Sequence, residues 1–165
     1  MLKTGKKLKV NQLVQNRKKS LASFSAIEHR LELVKIINGV SWVNDSKSTD
    51  AGVTAFSLEN IHGPIIWIVE SSESKRNLDL LRDVALNKVV EIVCYGNFET
   101  ELKYYFAAKL KYSHKSNLLD AVSLVAENSK PGSTVLFSPA CSSHLNFKNY
   151  QHRGEYFKEL VNTIV

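Results

Sequence analysis

The sequence predicts an α/β fold, a doubly wound and mostly parallel sheet that opens with an N-terminal antiparallel hairpin. Three observations predict it. The apolar runs after residue 60 are short and continuous, segments of helical spacing separate them, and Asn38-Gly39 joins two alternating runs near the start. Continuous apolar runs suit strands covered on both faces, as in parallel sheets. Strands that alternate with helices close into a doubly wound sheet with right-handed crossovers.

Each element has its own warrant. Residues 31–37 and 40–43 alternate apolar and polar around Asn38-Gly39, and that dipeptide accepts the positive φ that both positions of a tight hairpin turn require. Residues 65–69, 89–95 and 133–137 read as buried strands, and Gly63-Pro64 and Lys130-Pro131-Gly132 punctuate the entries to two of them. Residues 53–58, 78–86, 99–108, 118–126 and 147–165 carry helical spacing. In the fourth of these, Leu118, Ala121, Val122 and Val125 fall on one stripe. Phe147, Tyr150, Tyr156 and Phe157 sit at helical spacing and read for the most part as core.

With 165 residues and 44% hydrophobic content, the chain can bury one substantial core and is too short for two ordinary domains. We expect a basic arm over residues 1–20 and one folded unit over residues 21–165. Seven of the 22 basic residues precede residue 20, whereas the first acid is Glu28; the remainder holds 15 bases against 16 acids. The charge of +6 therefore belongs to the arm. Such an arm can meet nucleic acid or anionic lipid, but it lacks aromatic interleaving or a recognised module, and a solvated terminus is the favoured reading. No apolar run reaches the roughly 18 residues that span a bilayer, and no apolar signal-peptide core follows the basic residues. The expectation is a soluble cytoplasmic protein without membrane contact. Cys94 and Cys141 suit a reducing compartment, and no metal-ligand spacing is present.

Chemistry is expected in two polar segments, Asn44 to Asp50 and Ser138 to Tyr150, each following an apolar strand. In open α/β sheets ligands bind beyond the carboxyl ends of strands, so the two segments predict one shared hollow on which Asp45, Thr49 and Ser143 converge. Thr49 is expected to cap the next helix, and with Lys47 nearby it can hold an anion; the alternative is that Asp45, Ser46 and Thr49 serve only as turn and capping residues. Ser142, Ser143 and His144 invite a hydrolase reading. Adjacency is not triad geometry, however, and no Gly-x-Ser-x-Gly elbow surrounds either serine. The chain has neither Gly-x-x-x-x-Gly-Lys-Ser/Thr nor Gly-x-Gly-x-x-Gly, so tight ATP binding by the chain alone is not expected.

At these residues the sequence resembles the C-terminal domain of the Mur ligases, on the D-glutamate-adding branch. The likeness runs from about residue 21 to the end. It is carried by Glu28-His29-Arg30-Leu31-Glu32, by Asn38-Gly39-Val40 through Asn44-Asp45-Ser46-Lys47-Ser48-Thr49, and by Ser138-Pro139-Ala140-Cys141-Ser142-Ser143 with Phe147-Lys148-Asn149-Tyr150 and Arg153-Gly154. The resemblance implies a Rossmann-like fold and descent from ATP-dependent, magnesium-using enzymes that join D-glutamate to a UDP-linked muramoyl-alanine through an acyl phosphate. In that family a central domain holds the ATP loop and the magnesium, and the C-terminal domain closes over them. Carried over by position, Arg30, Asp45 and Lys47 resemble nucleotide-contacting residues. Thr49 and Ser143 resemble holders of the D-glutamate carboxylates, and Tyr150 stands where the family usually has phenylalanine.

The departures cluster in one stretch. Where the family has paired glycines and then a substrate-binding lysine, this chain has Glu70-Ser71-Ser72-Glu73-Ser74-Lys75-Arg76, with Ser74 at the lysine position and Lys75 one residue late. Asp50 and Leu145 replace the family's asparagine and aspartate. Glu70 and Asp50 are expected to set negative charge against an acidic substrate, at a cost on the order of a few kcal/mol where water is excluded. The resulting expectation is a divergent C-terminal unit, inactive as a ligase alone. The alternatives are a split or truncated subunit of an active ligase whose partner supplies the central domain, and a non-enzymatic binding module that docks through the basic arm. The expected partners are D-glutamate or another small acidic ligand held weakly, and a protein carrying the central domain; nucleic acid is not expected.

Overall fold

The structure, a computed structural model, describes residues 27–98 and 101–165. The basic arm and the first two positions of the helix expected over 99–108 lie outside the described residues. Strands β1 (Glu32–Ile37) and β2 (Val40–Asn44) form the antiparallel hairpin, and Asn38 and Gly39 both adopt positive φ, 50° and 78°. Thereafter α1 (Ala51–Asn60), β3 (Ile65–Glu70), α2 (Asp79–Lys88), β4 (Val89–Tyr95), α3 (Glu101–Phe106), β5 (Lys111–Lys115), α4 (Leu118–Asn128), β6 (Thr134–Phe137) and α5 (Tyr150–Asn162) follow in turn.

The six strands form one sheet in the order β1-β2-β6-β3-β4-β5, parallel throughout except for the hairpin. Central β3 and β6 are buried along their whole length, which is why their sequences do not alternate. Leu58 of α1, Leu81 and Ala85 of α2, and Leu102 and Phe106 of α3 pack on one face with Val43, Trp67 and Ile92. On the other face Val122 and Val125 of α4 and Phe157 and Val161 of α5 pack with Trp42, Val93 and Phe137. Helices therefore cover both sides, as a doubly wound, Rossmann-like sheet requires. Lys88 fastens α1 to α2 by donating its ammonium to the carbonyls of Leu58, Glu59 and Ile61, the orphan acceptors at the end of α1. Among the described residues, no helix is long and apolar enough to cross a membrane.

Two differences from expectation have simple causes. Strand β5, Lys-Tyr-Ser-His-Lys, carries no apolar run because it is an edge strand that pairs only with β4, and its terminal lysines blunt the open edge. The last helix starts at Tyr150 rather than at residue 147, because the Asn149 side chain accepts from the His152 N–H at 2.8 Å and fixes the cap there.

Candidate functional site: a cleft at the strand ends

Because β6 returns between β2 and β3, the loops leaving these three strands diverge at the carboxyl edge of the sheet, the usual position of a ligand crevice. A cleft of about 560 Å³ lies there. One wall is the segment after β3, with Ser72, Glu73, Ser74, Lys75 and Arg76. The other is the segment after β6, with Ala140, Cys141, Ser142, His144 and Leu145, and the start of α1 with Thr49 and Asp50 closes one end.

The structure divides the set predicted from sequence. Thr49 and Lys75 line the cleft. Asp45 and Ser143 do not; they are buried, with 0% and 3% exposure. The convergence expected for Asp45, Thr49 and Ser143 thus holds at the cleft only for Thr49. The Asp45 carboxylate is committed inward, accepting from the Leu31 N–H at 3.2 Å and from the hydroxyls of Ser48 and Ser138 at 2.5 and 2.8 Å. Burial pushes its pKa up, and the surrounding hydroxyls and the Leu31 N–H oppose that shift. Half-buried Lys47 sets its ammonium 5.6 Å from the centre of the Tyr150 ring, and the His29 ring meets Tyr150 edge-on at 5.9 Å. Tyr150 is therefore grouped with Lys47 rather than with Thr49 among the described contacts. Arg30, half-buried beside His29, donates its backbone N–H to the Ile27 carbonyl.

Two expectations are corrected. Asp50, not Thr49, caps α1, its carboxylate accepting from the Val53 N–H at 2.9 Å. Glu70 does not face a ligand. It is fully buried and ion-paired to fully buried Arg153 at 2.8 Å. Glycine at this position would leave Arg153 without its acid. The discounted hydrolase reading gains no nucleophile–base pair from Ser142, Ser143 and His144: the bond between Ser142 and His144 runs from the backbone N–H to the hydroxyl, at 3.5 Å.

Two arginines matter that sequence reasoning did not assign. Arg76, whose side chain is 5% exposed, donates Nη1 to the carbonyls of Glu70 and Pro139 at 2.8 and 3.4 Å, and Nε to Glu101 at 3.2 Å. Its Nη2 is buried with no partner among the described residues, and the residue lines the cleft. Arg153 donates to the Cys141 and Ser46 carbonyls at 3.0 and 2.9 Å, joining the loops after β6 and β2. A signal for Arg153 existed: it stands on the apolar stripe of α5 with Phe157, Leu160 and Val161, and a cation there calls for a buried acid. Neighbouring Gly154 is equally constrained, because a Cβ would overlap Ser46 Oγ and His29 Nδ1.

Outside the cleft, Glu28, His29 and Glu155 are close enough to hold a cation. Lys158 already fills that role, 2.7 Å from Glu155, 3.1 Å from Glu28 and 3.3 Å from Glu32. Partial burial pulls the Lys158 pKa down, but its three glutamates outweigh that and hold it above its usual value. The His29 Nδ1 accepts from the Asn44 amide at 3.1 Å, which directs the ring proton to Nε2, 3.5 Å from Glu155.

Fold and cleft together define a doubly wound, Rossmann-like α/β unit with a cleft at the carboxyl ends of its strands. No protein-family model matches the sequence. The chain is nevertheless related to the Mur ligases, through sequences named UDP-N-acetylmuramoylalanine–D-glutamate ligase. It is 34% identical to that of Chlorobium limicola over 87% of this chain and 31% of the relative. With that of Christiangramia forsetii it shares 35% over 94% of this chain and 36% of the relative. The chain thus spans about a third of the length of the curated relatives it matches. Among solved structures, the murein peptide ligase Mpl of Psychrobacter arcticus superposes with a TM-score of 0.58 at 14% identity, covering 87% of this chain and 32% of that one. The MurF ligase of Thermotoga maritima in complex with ADP gives 0.51 at 15%, covering 86% and 33%. At such identities these two speak to the fold alone.

Proposed function

We propose that the chain is a divergent Mur ligase C-terminal unit that presents a small-anion cleft to a nucleotide-bearing partner and does not ligate alone. The observation that carries this reading is the cleft itself, which sits at the switch point of the sheet and gathers Thr49, Lys75 and Arg76, in a chain whose relatives are named for D-glutamate ligation. The orphaned Arg76 Nη2 supports an anionic ligand, since a buried guanidinium nitrogen without an acceptor is costly. Lys47, with the Tyr150 ring against it, would face nucleotide and Mg²⁺ brought by the partner. ATP chemistry would come from that partner, because the sequence carries no phosphate-cradling glycine loop. The test is ATP-dependent phosphate release by the purified chain with UDP-muramoyl-alanine and D-glutamate. No turnover is expected, and robust turnover overturns the reading. Coexpression with a protein carrying a Mur central domain is expected to yield a complex. Failure to associate counts against the partner.

A further inference from the structure

Glu70 closes β3 with 0% exposure, and its carboxylate is fully dressed. One oxygen accepts from the Tyr95 hydroxyl at 2.9 Å and from Arg153 Nη1 at 2.8 Å; the other accepts from the Asn146 amide at 2.9 Å. These donors come from β4, α5 and the loop after β6, so one side chain reaches three other parts of the fold. A guanidinium, a phenol and an amide converging on both oxygens are what a protein uses to bind a carboxylate ligand. Burial foremost, and then Glu70 itself, push the Tyr95 hydroxyl well above its ordinary pKa, so it stays a donor.

The position of this carboxylate gives it a role beyond packing. Its own backbone carbonyl takes the Arg76 guanidinium, which also reaches Pro139, and its partner Arg153 takes the Cys141 and Ser46 carbonyls. Arg76 lies on one wall of the cleft and Cys141 on the other. A buried ion pair is poor value as stability alone, because apolar replacements of similar volume are often neutral or better. As a cross-link between two walls, it sets their separation.

We propose that Tyr95, Asn146 and Arg153 form a carboxylate-binding hole that the chain fills with its own Glu70, so that the cleft keeps its width with no ligand bound. Glu70 is here a positioning residue. The inference rests on the cleft reading above only for what that width serves; the exchange measurement below stands whether or not ligation is ever observed.

Emptying the hole tests it. In the full chain, Glu70→Ala should speed amide exchange over residues 142–148 on the order of tenfold or more, while the amides of β3 and β6 stay protected. Sodium formate, but not sodium chloride at equal ionic strength, should restore protection in Glu70→Ala and leave the wild-type chain unaffected. Restoration should vanish in Glu70→Ala/Arg153→Met. Glu70→Gln serves as the folded control: its side chain still fills the hole, so exchange over 142–148 should rise less than in Glu70→Ala and show no formate response. Unchanged exchange in Glu70→Ala overturns the proposal. So does rescue of Glu70→Ala by chloride as well as by formate. If Glu70→Ala does not fold alone, refolding that depends on formate supports the proposal, and refolding indifferent to the anion overturns it.

Discussion

Two buried carboxylates, Asp45 at the end of β2 and Glu70 at the end of β3, solve the same problem differently. Asp45 is held by neutral donors only, the Leu31 N–H and the hydroxyls of Ser48 and Ser138. Glu70 is held by a cation, Arg153, supplemented by Tyr95 and Asn146. Neutral dipoles leave part of the desolvation cost uncompensated, which is why the Asp45 pKa rises. A guanidinium compensates the charge itself, but each partner then depends on the other. The β2 end can therefore tolerate the loss of one donor, whereas the β3 end cannot lose its cation.

The largest test of that contrast is Arg153→Met, which strands Glu70 without a counter-charge. It should cost about 3–5 kcal/mol in chemical denaturation. Ser138→Ala removes one of three donors to Asp45 and should cost about 1–3 kcal/mol; equality of the two losses would break the comparison. A pH series sharpens it further. Because its pKa is raised on folding, Asp45 keeps its proton to higher pH in the folded chain than in the unfolded one. Stability is therefore lost as pH climbs from the ordinary aspartate range through Asp45's own value. Asp45→Asn should flatten that limb, its urea midpoint gaining on the wild-type midpoint as pH rises across the window; parallel curves would contradict the assignment. The smallest effect belongs to exposed Asp50, whose carboxylate caps α1 through the Val53 N–H. Asp50→Ala should cost about 1 kcal/mol in chemical denaturation.

The same contrast marks what the sequence could reveal. Asp45 was legible as a notable residue because the run Asn44 to Thr49 is polar and dense, yet its burial was not, since nothing local says that Ser138 lies within reach. Continuous apolar strands and Asn38-Gly39 announced most of the sheet, whereas β5 was silent because an edge strand has no buried run to display. Glu70 was misread as a charge exposed to ligand. Its partner stands 83 residues away on α5, and only the folded register of β3 against β6 brings the two together. Thr49 was taken for the α1 cap because threonine and aspartate are both good caps, and the choice between them is settled by backbone φ and ψ rather than by residue type.

The place of β6 bears on how the chain is made. The strand completed last is seated at the centre, with β2 on one side and β3 on the other. Until Phe137 and the segment behind it have left the ribosome, the earlier strands present two raw apolar edges with nothing between them. Assembly of this sheet must therefore wait for β6, and a stop codon anywhere before residue 134 would yield fragments prone to clump rather than a smaller working piece.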